Sequence, residues 1–376
     1  MPLGVNQVGM AGPVTLDRIP RNGAPSIRNI TAERQQSITV EEFRGDAAEW
    51  DGYVRRSVDG TFCHLSGWRE IITGVLGHEC HYLIARDGSG ECQGVLPLAR
   101  VRSRLFGDYL LSMPFLNYGG PIGTPEAEQQ LSGHGRQLAQ EFNVKLLELR
   151  TRHRARSELQ TAHRKVTVLL PLAASADAMM AKFSSKLRSQ IRRPMKEGME
   201  VRLGPDQRDA FYAVFARNMR DLGTPVLPRR LFDEIARVFA QEVVFSAVYF
   251  RGQPVAAGCG FMWGREFELT WASSLREHKQ RAPNMLLYWG LMQHMISQGL
   301  GVFNFGRCTP NGGTHRFKLQ WGGETVPLSW LQWSSTGTAA PPTPAGALFQ
   351  LATRVWSRMP LAMANTIGPM LARSLP

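Results

Sequence analysis

Cysteine is scarce in this chain and badly placed for cross-linking: Cys63, Cys80, Cys92, Cys259 and Cys308 are scattered through 376 residues without a C-x-x-C spacing. An odd, dispersed set supports neither a disulfide framework nor a zinc knuckle, and points to a reducing compartment. Apolar runs fall short of what a bilayer needs. The best candidate, MLLYWGLMQHMISQGLGVF, is interrupted by Gln293, His294 and Gln298, whereas a span takes about 20 predominantly apolar residues. The N-terminal stretch MPLGVNQVGMAGPVTLDRIPRNGAPS has no basic cap followed by an apolar core, so it does not read as a secretory signal. Acid is deficient as well: 44 Lys and Arg face 31 Asp and Glu, for a net charge of +13. That excess favours anionic partners, whether RNA, phosphorylated carriers or an acidic membrane face, without choosing among them.

What is present is a globular chain with a repeated pattern. Apolar residues are 43% and charged residues 20%, ordinary for a folded protein, and the length allows two cores. Residues 1–37 are rich in Gly, Pro, Arg and Asn without periodicity and read as a flexible leader. From residue 38 come the strand SITVEEF, two helical stretches, the hairpin CHYLIARD-GSGE-CQGVLPLARVRS, the strand DYLLSMPF, the loop NYGGPIGTPE, a helix and the buried strand VKLLELR. The second half opens with the strand KVTVLLPL, one helix over DAMMAKFSSKLRSQIRRPMKEG ended by Gly198, and two more helices. It then repeats the order: hairpin EVVFSAVYF-RGQP-VAAGCGFMWG, strand FELTWASS, helix PNMLLYWGLMQHMISQGL, strand GVFNFGR. Each copy ends on an arginine directly after an apolar run, Arg150 and Arg307. The expected architecture is α/β, with two copies of one unit over residues 38–165 and 166–335. Residues 336–376 follow as a Pro- and Gly-containing linker and a tail with three arginines and no acid. The tail fits an amphipathic helix interrupted at Pro360, which either docks on its own domain or meets a membrane surface or partner.

The stretch FGRCTPNGGTHRFKLQWGGE, residues 305–324, concentrates cations and glycine after a buried strand. Arg307 offers a planar fork for phosphate or carboxylate, and Lys318, directly after Phe317, is placed to aim a fixed charge at an oxygen that becomes negative in a transition state. His315 is the nearest group with the pKa class of a general base. The alternative is a glycine-rich loop closing a sheet, with solvated cations. In KFSSKLRSQIRRP, Lys182, Lys186, Arg188, Arg192 and Arg193 fall on overlapping helix faces with no acid among them, either a phosphate site or a solvated face. RTRHRAR, residues 150–156, is an anion-binding strip or a basic linker. NYGGP, with Asn117 and Tyr118, is a ligand cradle or a plain turn. His78, Cys80 and His81 resemble metal ligands, but strand alternation sends Cys80 and His81 to opposite faces, so no metal is expected. Cys308 with His315 lacks a third, orienting group.

Taken together, KLRSQIRRPMKEG, RNMRDLGTP, NMLLYWGLMQHMISQGLGVFNFGR and FKLQWGG resemble the Fem-type transferases of the GNAT (N-acetyltransferase) superfamily. More narrowly they resemble the FemAB-like proteins of bacterial PEP-CTERM and exosortase exopolysaccharide systems, over residues 38–335. The resemblance implies two tandem GNAT-like domains with mixed central sheets and a cleft between them. It implies transfer of an acyl or aminoacyl group, with aminoacyl-tRNA as a family donor, to an amine on a peptidoglycan, envelope or exopolysaccharide precursor. No metal or resident cofactor is implied, only the activated donor. Lys318 after Phe317 matches the family's lysine near the transferring carbonyl. With His315 as the second catalytic candidate, Arg307, Phe317, Trp321, Lys186, Arg188, Arg192, Asn117, Tyr118, Trp271 and Asn284 make up the expected substrate-binding set. The segment SSLREHKQRAPN has no glycine for a pyrophosphate loop, which argues against acetyl-CoA. No helix-turn-helix or zinc pattern supports DNA binding. The expected location is the cytoplasm, peripheral to the inner face of the membrane. A rival reading is a non-catalytic protein of the same fold that holds polysaccharide or lipid-linked sugar.

Overall fold

Period-two and near-continuous apolar runs build two mixed sheets, and helices with one or more apolar faces cover them. The structure, a computed structural model, describes residues 37–103, 107–337 and 347–374. The expected leader, apart from Ser37, and linker residues 338–346 lie outside these. The first half supplies β1 (Thr39–Glu42), α1 (Ala47–Arg56), α2 (Gly67–Ile71), β2 (Glu79–Arg86), β3 (Cys92–Ser103), β4 (Gly107–Leu111), β5 (Ile122–Gly123), α3 (Pro125–Glu141), β6 (Leu146–Thr151) and β7 (Gln160–Ala162). The second begins with β8 (Val166–Pro171), α4 (Ala176–Lys182), α5 (Ser185–Lys196), β9 (Glu200–Leu203), α6 (Arg208–Asp221) and α7 (Arg229–Val238). It continues through β10 (Val243–Phe250), β11 (Gln253–Trp263), β12 (Glu266–Ser274), α8 (Pro283–Ser297), β13 (Val302–Asn304), α9 (Gly313–Leu319), β14 (Glu324–Pro327) and β15 (Ser329–Ser334). Two tail helices follow, α10 (Ala347–Ser357) and α11 (Leu361–Ala372).

The expected repeat is there. In one sheet the β2–β3 hairpin, antiparallel β4, helix α3 and β6 parallel to β4 follow one another. In the other, the β10–β11 hairpin, antiparallel β12, α8 and β13 parallel to β12 do the same. The strands after each repeat are exchanged. β7 stays at the edge of the first sheet, whereas β8, next in the chain, inserts between β13 and β14 of the second. β14 stays at the edge of the second, whereas β15 crosses back to lie between β6 and β7 of the first. The strand that ends the expected second unit therefore belongs to the first sheet, and residues 37–376 form one compact unit.

Local chemistry explains most element ends. Thr124 accepts from the Ala127 N–H and Pro125 opens α3. The helix expected over DAMMAKFSSKLRSQIRRPMKEG is broken, because the Ser184 side chain accepts from Leu187 N–H and starts α5 anew after α4. α8 is apolar nearly all round and is buried, with Leu287, Leu291 and Met292 fully enclosed on the second sheet. The main core joins both halves: Phe62 stacks on Phe261 at 4.2 Å and Trp68 meets Phe239 at 4.7 Å. The tail breaks where expected, at Pro360, and packs on α6. A Cβ on Gly223 would lie 2.2 Å from Thr353 Cγ2, so only glycine lets α10 approach.

Candidate active site

β12 and β13 run in parallel only from Glu266 to Glu268, opposite Val302 to Asn304, and then part. β12 takes an extra residue at Thr270, where its register against β11 shifts, and continues to Ser274. The other strand turns away at Gly306, whose φ is +70°. A Cβ there would sit 2.5 Å from the Leu269 carbonyl oxygen, so the turn demands glycine. Among the described strands none pairs with β12 on the side that β13 leaves.

A cavity of about 300 Å³ lies at this open end, lined by Asn218, Ser273, Asn284, Tyr288, Thr314 and Phe317 among others. Asn218 Nδ2 donates to Ser273 Oγ at 3.1 Å. α8 starts beside it from Ala282, in the left-handed region at φ 53°, with no side-chain cap on its first-turn N–H groups. The volume and the few convergent polar groups suit a small-ligand site.

Phe317 and Lys318 on α9 face different ways. Phe317 is half-buried, lines the cavity and packs edge-on to Tyr288 at 5.1 Å. Lys318 is 3% exposed, and its ammonium donates to the carbonyls of Gly306 at 2.5 Å and Arg307 at 3.2 Å. One of its N–H groups has no partner among the described residues. Burial lowers the Lys318 pKa to about 8; the Arg307 charge works with it, and Cys308 and Glu268 work against it.

Arg307 is half-buried and its guanidinium makes no hydrogen bond or ion pair among the described residues. It lies 5.3 Å from the ring centre of Trp330 on β15, which also carries Arg150 at 5.0 Å. The exchanged strand thus brings together the two arginines that end the repeats. Arg150 is neutralised by Glu148 at 2.8 Å; Arg307 has no such partner, and burial, then the Arg150 charge, lower its pKa to about 10. A guanidinium short of counter-charge suits a carboxylate or phosphate.

The side chains of Asn117 and Tyr118 bridge the two halves. Asn117 Nδ2 donates to Glu268 Oε1 at 2.6 Å. Asn304 Nδ2 donates to Tyr118 Oη, Glu266 Oε1 and Glu268 Oε2 at 3.1, 2.8 and 3.2 Å. Thr167 Oγ1 donates to Asn304 Oδ1 at 2.6 Å. Glu268 is 2% exposed, and burial, reinforced by Glu266, raises its pKa to about 7.

Several expected site residues have other duties. Trp321, 1% exposed, is core between Phe183, Tyr288 and Phe305 rather than a substrate contact. His315 uses both ring nitrogens, Nδ1 accepting from Asn311 N–H at 3.0 Å and Nε2 against Thr325 Oγ1 at 2.8 Å, so it pins α9 to β14. Trp271 is half-buried against Phe232. Lys186 and Arg192 are exposed on α5, and Arg188 donates to the Phe183 carbonyl. Their helix lines a groove of its own, away from the residues of the cavity above. Nor is it free of acid, since Glu197 takes both Arg193 and Arg281. Most of the charged residues in the 150–156 run are paired: Arg152 with Glu266, Arg156 with Glu126 and His153 with Glu128. Burial opposes a proton on His153, but Glu128 and Asp59 outweigh it and hold the imidazole above its ordinary pKa. The sequence reading did not single out Asn218, Ser273, Glu268 or Asn304. A signal existed for one of them: EFELT places Glu266 and Glu268 on the same face of an otherwise apolar strand.

Residues 181–319 match the family model for the acetyltransferase (GNAT) domain, a span that includes Asn218, Asn284 and Phe317. The fold is similar to that of FemX, with a TM-score of 0.60 and 13% identity, covering 77% of this chain and 96% of that one. It is also similar to the C-terminal domain (DUF2156) of a protein described as a lysylphosphatidylglycerol synthetase from Agrobacterium fabrum, with a TM-score of 0.51 and 14% identity over 85% of this chain and 96% of that one. L-PGS from Bacillus licheniformis follows at a TM-score of 0.50 and 12% identity, over 84% and 98%. No curated protein sequence matches the chain. At these identities the likeness is one of fold. The class is a two-sheet α/β protein with a GNAT-like fold, in which residues 181–319 match the acetyltransferase (GNAT) domain model.

Proposed function

We propose that the protein is an N-acyltransferase that moves an acyl or aminoacyl group from an activated donor to an amine on a cell-envelope or exopolysaccharide precursor, at the cytoplasmic face of the membrane. The observation that carries this reading is α9, which lines the cavity at the open end of the second sheet with Phe317 and on another side holds the dry ammonium of Lys318 against the Gly306–Arg307 turn. The FemX-like fold supports an aminoacyl donor, and the narrower kinship with PEP-CTERM-associated FemAB-like proteins belongs to the proposal too. The acceptor nitrogen attacks the donor carbonyl, a C–N bond forms and the oxygen becomes negative. The free N–H of Lys318 holds that oxygen, the bond to the donor's carrier breaks, and the amine proton leaves to solvent. One such charge donor contributes about a hundred- to a thousand-fold in rate. Arg307 takes an acidic group of the acceptor, and Asn218 and Asn284 orient polar groups in the cavity.

The two carbonyl bonds of Lys318 favour a second reading, in which the lysine only locks the 306–307 turn and the cavity binds without reacting. Lys318→Met decides between them. Protein incubated with acetyl-CoA or with a charged tRNA pool, and with an amine-bearing muropeptide or glucosamine oligosaccharide, is followed by mass spectrometry of the acceptor. The variant loses about 1–3 kcal/mol of stability from unpaired carbonyls, and well below its melting temperature transfer falls by about a hundred-fold or more. Because the ammonium form does the work, the wild-type rate also falls as pH rises through about 8. Transfer by Lys318→Met at the wild-type rate overturns the mechanism.

A further inference from the structure

The tail helices use one face to dock and leave the other bare. Inward, Ala364 and Ala372 are buried, and Gly368 lies so close to Val226 that a Cβ would meet its backbone nitrogen at 3.0 Å. Outward, Leu351 and Val355 on α10 are each 57% exposed, and Met363, Ile367 and Met370 on α11 are 51%, 37% and 61% exposed. Their spacings of four, and of four then three, put each set on one stripe of its helix. Leu222, 57% exposed at the end of α6 next to the glycine that receives Thr353, extends the patch. Exposed apolar side chains clustered in this way mark an interaction surface.

Charge selects the occupant. Residues 335–376 contain no Asp or Glu. Arg354, Arg358 and Arg373 are exposed, and the guanidiniums of Arg354 and Arg358 pair with nothing among the described residues. Arginines on other helices do find acids: Arg217 with Glu277, Arg220 with Asp221 and Arg237 with Glu234. A second copy laid on the patch would bring the same unpaired cations into opposition. An anionic lipid surface answers both features, taking the apolar stripe below the headgroups and the arginines at the phosphates. The helices have 11 and 12 residues, about 17 and 18 Å long, and so lie in the interface rather than cross it.

We propose that α10 and α11 dock this protein on an anionic bilayer surface through Leu351, Val355, Met363, Ile367 and Met370, with Arg354 and Arg358 on lipid phosphates. This does not depend on the acyl-transfer reading, because none of these residues lines the cavity. The test is co-sedimentation of the full chain with phosphatidylcholine vesicles, with and without phosphatidylglycerol. Wild type binds the phosphatidylglycerol vesicles and is released by salt. Arg354→Gln with Arg358→Gln weakens binding about fivefold per arginine, and Met363→Gln with Met370→Gln weakens it on both vesicle types. Thermal melts of both double variants match wild type, since all four side chains are exposed. Failure to sediment with vesicles, equal binding to neutral and anionic vesicles, or wild-type binding by both variants overturns the proposal. So does sedimentation equilibrium showing a dimer that Met363→Gln with Met370→Gln splits.

Discussion

Glu268 is the residue whose surroundings most oppose its charge. It accepts from Asn117, Thr270 and Asn304, yet it is almost fully buried beside Glu266, and its pKa rises from 4.5 to about 7. The folded state therefore holds this proton more tightly than the unfolded chain does. The resulting stability is complete below about pH 4.5 and lost as pH rises through about 7. A change of that size is on the order of 3 kcal/mol. Glu268→Gln should flatten this part of the pH–stability curve. His153, also raised, acts in the same direction but only above 6.5, its ordinary value, so the difference between wild type and variant isolates Glu268. Chemical denaturation at a series of pH values measures it, and an unchanged slope in the variant would reassign the titration. At this scale the sequence was half legible. Lys318, Arg307 and Asn117 stand out by type and neighbours, and the structure gathers them around the Gly306–Arg307 turn. What they touch depends on the other half of the chain. Asn117 meets Glu268 from far along the sequence, and no local pattern encodes that contact.

Among the elements, β15 has the most consequences. It lies second from one edge of a sheet built otherwise by the first half, and it positions Trp330 under Arg150 and Arg307. Leu331, 2% exposed and paired with both Leu149 and Thr161, anchors it. Leu331→Ala should cost about 2–5 kcal/mol, and circular dichroism and tryptophan fluorescence should report the loss at the same denaturant concentration. A loss seen by one probe alone would mean that the exchanged strand does not couple the sheets. The hairpins, the repeat and the tail break were legible because alternation, turn residues and Pro360 act locally. The exchange was not. β8 and β15 are short apolar strands that would satisfy either sheet, and the choice is made by packing between halves. The break between α4 and α5 was legible in principle, since Ser184 sits in the middle of the expected helix with the side chain of an N-cap.

The exchange and the joint core bear on the molecule as a whole. The first sheet holds β15 from the far end of the chain, and Phe62 and Trp68 bury against Phe261 and Phe239. Residues 1–165 alone would lack the strand between β6 and β7, leaving β6 with an open edge and Leu147 and Leu149, both fully buried in the whole protein, without their neighbour. Phe62 and Trp68 would lose their aromatic partners in the same cut. A domain needs its own closed core to fold alone, and the first half's own cluster is completed by Leu331 from the far end of the chain. The repeat is therefore expected not to mark two independent folding units. The full chain should unfold in one cooperative transition, with calorimetric and van't Hoff enthalpies equal, and residues 1–165 expressed alone should show no cooperative melt. Two resolved transitions in the full chain, or a cooperative melt of the fragment, would show that each sheet closes its core without the other's strand.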